Sequence, residues 1–371
     1  MSPTPDPNAN KLLKAAWQRQ AAYDQNASRY QRRFVFIRTL LSVLSVAVVI
    51  LAVMEGQKFE TPWGLLDTPW DLTGKGLLLL PVTITALLAF SVRFDRGQNW
   101  VLLRGNAESL KMEIYYYRTR VGAYQHHRNE ALSKRIKQIS EGLKGSPIHQ
   151  GALSPYEEEL DSPFRIGIII RLVSGIAKGI SGLVDRLWAV LFQFKVEKAR
   201  ASPENDYYSD LTDPETYLKY RLENQFDWYR SKAKKMAQQL QAFQAGIYLF
   251  GGIGTLLATT ETYNSSVAIT TAMVSAFNNY LEFKRVEISL VGYNQAADTL
   301  YDIRVWWYSL SDAERGEFDN FSKLVTSCEE TIHSENSSWL QDMQDRLAQL
   351  YGNGDDDNNG NHPSAGAEAD D

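Results

Sequence analysis

Two charge-free apolar runs stand out in the chain: Thr39 to Met54 (TLLSVLSVAVVILAVM) and Leu77 to Val92 (LLLLPVTITALLAFSV), joined by a polar loop. Each is sixteen residues long, short of the ~20 that a bilayer-spanning helix uses, and Phe34 to Ile37 lengthen the first when Arg38 snorkels to the headgroups. Ten of the first sixteen residues are Leu, Ile or Val. At about 0.3 to 0.6 kcal/mol each they supply about 3 to 6 kcal/mol, which outweighs one arginine near the end of the segment. A core helix of a soluble bundle would show a polar stripe at the helical period, whereas the first run has only Ser42 and Ser45. The pattern therefore predicts a membrane hairpin.

Charge fixes its orientation. Lys11, Lys14, Arg19, Arg29, Arg32, Arg33 and Arg38 precede the first run, and Arg93, Arg96, Arg104, Lys111, Arg118 and Arg120 follow the second. The loop between them holds only Lys58 and Lys75, against Glu55, Glu60, Asp67 and Asp71. By the positive-inside rule both ends are cytoplasmic and the loop is external. Trp63 and Trp70 suit the outer interface, with packing inside a small loop as the alternative. The single cysteine, Cys328, allows no intrachain disulfide, which fits a reducing space for the bulk of the chain. No cleavable signal precedes the first run, so that run is read as a retained anchor. A net charge of -5 over 371 residues is unremarkable, and most of the chain is polar enough to lie outside lipid.

Taken in order, residues 1–10 (MSPTPDPNAN) are Pro- and Asn-rich and are expected to be disordered. Residues 11–142 form a first two-span helical unit, with a helix running unbroken from Lys11 into the membrane and helical pattern after the second span to about Gly142. Tyr115-Tyr116-Tyr117 cover most of a turn; helix packing with hydroxyls at the rim is the first reading and ligand stacking the second. Residues 143–211 form a linker containing an amphipathic helix over 164–194, where Arg171, Ser174, Lys178, Ser181 and Asp185 recur on an apolar background. Arg171 and Lys178 mark it as a membrane-interface or oligomer-contact helix, with a third span or a buried core helix as alternatives. Residues 212–351 form a second two-span unit, opened by a capping box at Thr212-Asp213-Pro214-Glu215, and Ser311-Asp312-Ala313-Glu314 opens a last helix to about Tyr351. Residues 352–371 form an acidic tail expected to be disordered.

The halves align with each other. At an offset of 190, Leu77 to Val92 falls on Val267 to Glu282, Ala107 on Ala297, Leu110 on Leu300 and Tyr116-Tyr117 on Trp306-Trp307. This predicts an all-α integral membrane protein of two parallel repeats, each a transmembrane helical hairpin with long cytoplasmic helices. The second hairpin, Gln244 to Ala258 and Val267 to Leu281, is the weaker anchor, because Asn278, Asn279 and Glu282 oppose insertion. Thr271, Ser275, Asn278 and Glu282 share one helix face, the pattern of a pore lining or of hydrogen-bonding glue between helices. Arg285, one turn further, is placed to neutralise Glu282. The chain has no phosphate loop of the right spacing, no metal-ligand pattern among its five histidines and no nucleophile constellation. It is read as a non-enzyme that needs no cofactor and no nucleic acid.

Tyr217-Leu218-Lys219-Tyr220-Arg221-Leu222, Gln225, Trp228-Tyr229 and Lys232-Ala233, together with Glu329-Glu330, Glu335 and Trp339, resemble the SMODS and SLOG-associating two-transmembrane effector domains. The first unit, with Tyr23, the strong hairpin and the tyrosine run, looks like a sister member fused in front, giving a tandem pair. The resemblance implies a bacterial inner-membrane, multi-pass effector with both termini cytoplasmic. It further implies a homo-oligomer that opens a pore or disturbs the membrane in nucleotide-signalled defence against phage, triggered by a separate nucleotide-signalling protein. The alternative is a membrane-associated scaffold or lipid sensor that does not conduct.

Overall fold

The computed structural model describes residues 7–56, 72–94, 98–143 and 209–351, and every described element is helical. Helix α1, Pro7–Gly56, is one continuous helix of 50 residues. It begins earlier than the composition of residues 1–10 implies, because a proline in a first turn forfeits no helical hydrogen bond. Leu13, Ala16, Tyr23 and Ala27 recur on one face of its N-terminal half and are buried against α3, Gln98–Thr119, through Leu103, Ala107, Leu110 and Ile114. Leu132 and Ile139 of α4, Arg128–Glu141, complete that core. Between α1 and α3 runs α2, Leu72–Phe94, the return arm of the first hairpin.

The helical pattern expected to reach Gly142 is broken after α3. Arg120 (φ 59°), Gly122 (φ 62°) and His127 (φ 50°) take the left-handed conformation around a single 3₁₀ turn at Gly122–Tyr124. Only glycine adopts that region without steric cost. Arg120 and Arg128 both pair with Asp210 (2.5 and 2.6 Å), so the break is fastened to the start of the second half.

That half opens with α5, Pro214–Tyr217. The cap is Asp213 rather than Thr212, one residue later than the capping-box pattern implies: its carboxylate accepts from the Thr216 N–H at 2.8 Å, and Pro214 follows at the first helical position. A π-helical segment, Leu218–Glu223, then leads into α6, Asn224–Ala258. A 3₁₀ turn, Glu261–Ser266, reverses the chain into α7, Val267–Lys284. Arg285 (φ 50°) separates α7 from α8, Val286–Ser309, where the sequence pattern reads as one helix. The Ser311 capping box forms in both directions, with Ser311 N donating to Glu314 at 2.7 Å. It opens only α9, Asp312–Arg315, and a new helix, α10, runs from Phe318 to Tyr351.

The core of the second half joins Tyr217, Leu218, Leu222 and Tyr229 to Ala296, Leu300 and Trp307 of α8 and to Phe321, Leu324, Cys328 and Ile332 of α10. The C-terminal part of α10 continues into a third cluster, where Met343 and Leu347 meet Phe34, Val35, Trp100 and Val101. Trp100 and Trp339 are in ring contact there, with centroids 5.1 Å apart.

Among the described residues two helices are long and apolar enough to cross a membrane, α1 within Asn10–Gly56 and α6 within Pro214–Ala258. Neither apolar window is a core: 28% of the first and 11% of the second is buried. In α2 the apolar run Leu77–Ala89 is shorter. Residues 154–207, with the amphipathic helix expected over 164–194, lie outside the described residues.

Candidate functional site

The α6–α7 hairpin is built by omission of side chains. A Cβ on Gly246 would lie 2.6 Å from Phe277 Cε2, and one on Gly254 would lie 2.6 Å from Thr270 Oγ1. Glycine at both positions lets the two helices close. Phe243 stacks flat on Tyr280 (4.5 Å, 7°) and meets Phe277 edge-on at 5.4 Å, while Gln239 Nε2 donates to the Tyr280 hydroxyl at 2.8 Å. Thr270, Phe277 and Tyr280 are therefore the buried face of α7.

Thr271, Ser275, Asn278 and Glu282 emerge together on a different, exposed face of α7. The Thr271 hydroxyl returns to the Val267 carbonyl at 3.0 Å. Glu282 accepts from Arg285 at 3.3 Å and from Arg346 of α10 at 3.1 Å. Arg285 also holds Asp342 in a bidentate contact. Outward from the hairpin, Tyr248, Leu249 and Leu256 of α6 are exposed, as are Leu78, Leu79 and Val82 of α2.

Beneath the hairpin lies a buried charge. Arg221, on the π segment, is bound by Glu329 of α10 through two parallel bonds, Nε to Oε1 at 2.7 Å and Nη2 to Oε2 at 2.6 Å. Their side chains are 2% and 0% exposed. Tyr217 donates its hydroxyl to the same Glu329 Oε1 at 3.0 Å. The Arg221 guanidinium stands 3.9 Å from the centre of the Tyr115 ring of α3. Burial alone would lower the Arg221 pKa, but Glu329 overrides it and holds the guanidinium well above its ordinary value. Burial pushes the Cys328 thiol, beside this pair, up to about 12, which leaves it inert as a nucleophile.

A second charged cluster lies among α1, α3, α6 and α10. Arg104 of α3 pairs with Asp24 of α1 and with Glu108 (2.9 Å). Tyr229 donates to Glu335 at 3.2 Å. Burial raises the Glu335 carboxyl to about 7; the Tyr229 bond and Arg104 oppose that shift and Glu108 adds to it. Both clusters draw residues from the two halves of the chain.

The four stripe residues are thus brought onto one accessible face, whereas Trp63, Trp70, Arg171 and Lys178 lie outside the described residues. The Arg221–Glu329 pair is not legible as a pair, because 108 residues separate its members. A signal existed in each: Arg221 lies between Leu218 and Leu222, and Glu329 adjoins the apolar series Leu324, Val325, Cys328 and Ile332.

Comparison with known families bears on both halves. Residues 217–339 match the model described as SMODS and SLOG-associating 2TM effector domain 1. Residues 18–132 match a different one, described as Protein of unknown function (DUF4231). The expectation of two tandem copies of the effector domain is corrected accordingly: one such domain follows a unit of another kind. Neither a curated protein nor a solved structure matches the chain. Tyr217, Arg221, Glu329 and Glu335 all fall within the effector-domain match, which implies a membrane effector role for the chain.

Proposed function

We propose that the protein is a multi-pass effector of a bacterial inner membrane, with both termini cytoplasmic, which assembles as a homo-oligomer and opens a pore lined by Thr271, Ser275, Asn278 and Glu282. The observation that carries this reading is the accessible polar stripe on α7, a helix whose other face is committed to α6. In lipid, a row of hydroxyl and carboxamide side chains ending in a carboxylate in the last turn of the helix is unfavourable, so such a stripe calls for a protein partner or a water-filled lumen. Exposed apolar surfaces on α2 and α6 support insertion, since soluble monomers rarely leave such patches bare. The parallel repeat is supported by shared burial: Ala107 and Ala297, Leu110 and Leu300, and Tyr117 and Trp307 are buried at both members of each pair. The trigger is a separate nucleotide-signalling protein in defence against phage, consistent with the effector-domain match.

The test is planar-bilayer recording of the purified protein and of its Glu282→Lys and Asn278→Asp variants. A lumen gives discrete conductance whose cation preference falls in the first variant and rises in the second. Conductance blind to both substitutions refutes this lining. A second reading, a non-conducting scaffold, is favoured by one observation: Glu282 is already matched by Arg285 and Arg346, as structural glue would be. That reading gives silence in the bilayer together with discrete cross-linked multimers.

A further inference from the structure

Most arginines near the cytoplasmic end of the hairpins are matched. Arg285 and Arg346 hold Glu282 and Asp342, and Arg104 holds Asp24 and Glu108. Arg230 and Lys234 of α6 are different. They stand one turn apart on an exposed face, and neither is paired with a carboxylate among the described residues. Like charges at this spacing repel by a few tenths of a kcal/mol, so an anion between them is favoured twice, by its own attraction and by the repulsion it removes. The two cations flank an open groove of about 280 Å³ between α6 and α8, whose remaining lining is Ala233, Ala237, Leu290 and Asn294. One rim is thus cationic with an amide donor, and the floor is small and apolar.

The groove's height on the helix names the anion. An apolar thickness of ~30 Å corresponds to about twenty helical residues, which on α6 ends at Ala258 and begins near Gln239. At ~1.5 Å per residue, the Lys234 backbone then lies about 7 Å beyond the hydrocarbon boundary, at the outer edge of the headgroup layer, and that of Arg230 about 13 Å beyond it, from where the long side chain reaches back toward that layer. On the other wall, α8 starts immediately below α7 and carries the exposed apolar side chains Ile288 and Val291 in its first turns. A soluble anion has no use for an apolar floor and rim; a molecule with a phosphate at one end and glycerol and acyl carbons at the other uses both.

We propose that the groove between α6 and α8 binds the headgroup of an anionic phospholipid of the cytoplasmic leaflet, with Arg230 and Lys234 on its phosphate, Asn294 donating to it, and Ala233, Ala237 and Leu290 against its glycerol stem. The assignment rests on the membrane reading given above, which alkaline extraction of the full chain from membranes tests by itself. Material that extracts as a peripheral protein removes the membrane reading. Material that stays in the pellet leaves the groove to be judged on its own.

For the groove, the full chain in mild, lipid-depleted detergent is titrated with short-chain phosphatidylglycerol, with short-chain phosphatidylcholine and with glycerol 3-phosphate, and its thermal midpoint is followed by tryptophan fluorescence. Phosphatidylglycerol raises the midpoint at concentrations at least tenfold below those of the other two. The double variant Arg230→Gln/Lys234→Gln, both positions exposed, keeps the unliganded midpoint and loses that tenfold preference. Equal responses to the two lipids, an equal response to glycerol 3-phosphate, or a preference unchanged in the double variant each overturn the proposal. Phosphatidylglycerol quantified in the purified wild type and variant is a second readout, and equal retention likewise contradicts it.

Discussion

Glu329→Gln removes one negative charge and almost no volume from the most enclosed ion pair among the described residues. In the native protein the carboxylate receives both Arg221 nitrogens at 2.6 to 2.7 Å and the Tyr217 hydroxyl at 3.0 Å, and water reaches neither side chain to any useful extent. The amide that replaces it turns one acceptor into a donor facing another donor. Arg221 keeps its charge, held only by the Tyr115 ring and one carbonyl-type oxygen. A ring face compensates a desolvated cation by about 2 kcal/mol, so the net cost falls in the range of about 3 to 5 kcal/mol for breaking a buried pair. For a chain of this size each kcal/mol lowers the thermal midpoint by about 2 to 4 °C, giving a drop on the order of 10 °C. The assay is tryptophan fluorescence at a fixed scan rate in one detergent. Arg221→Met/Glu329→Leu, which removes both charges and keeps the volume, recovers most of the loss. A midpoint for Glu329→Gln within about 2 °C of wild type, or a double variant as unstable as the single, refutes the reasoning.

Three further outcomes are expected. Because Glu335 holds its proton more tightly in the fold (to about 7 from 4.5), the native state binds more protons than the unfolded chain between those values. Stability from this group is therefore complete below 4.5, falls as pH rises through the window and is lost above 7, by about 2 kcal/mol after discounting its partial exposure; thermal midpoints from pH 5 to 8 show the slope, and Glu335→Gln flattens it. Gly246→Ala and Gly254→Ala each force α6 and α7 apart at a cost of about 1 to 3 kcal/mol, whereas Gly251→Ala and Gly252→Ala, with nothing within 4 Å of the added carbon, leave the midpoint level or raise it. Labelling from outside intact cells reaches a cysteine at Tyr263 and not one at Gln125, and the buried Cys328 stays silent as background; equal labelling at both sites sinks the topology.

The elements that the sequence made legible are those written in local periodicity. The unbroken lead from Lys11 into the first apolar run, the turn of the second hairpin between Ala258 and Val267, the Ser311 cap and the common face of Thr271, Ser275, Asn278 and Glu282 are all local features of pattern and spacing. What escaped is non-local or unmarked. Arg285 and His127 adopt positive φ without being glycine or asparagine, because Arg285 is held by Asp342 and Glu282 and the segment around His127 by Asp210. Asp213 displaces Thr212 as the cap because Pro214 belongs at the first helical position. The partner of Arg221 lies on a helix that begins nearly a hundred residues later, and no window centred on either residue contains the other. The similarity of the two halves was legible as pattern, yet the family matched by residues 18–132 is not the one matched by residues 217–339.

The π segment at Leu218–Glu223 has a geometric consequence for everything above it. Hydrogen bonds from i to i+5 accommodate one residue more than an α turn does, so the angular phase of α6 beyond Asn224 is offset by about 100° from the phase set by Tyr217 and Leu218. The arc that α6 turns toward α7 at Gly246 and Gly254 is thereby indexed against the cytoplasmic core at Arg221. Because the extra residue is absorbed in the π segment, deleting one residue from 218–223 would close it into an α turn and leave the azimuth of those glycines in place, whereas deleting one from the α-helical stretch between Asn224 and Gly246 would rotate them off their partners by about 100°. The π segment is thus the slack in the indexing of this helix, and the α-helical length above it sets the azimuth of the α6–α7 hairpin, with the Arg221–Glu329 pair as its fixed bearing.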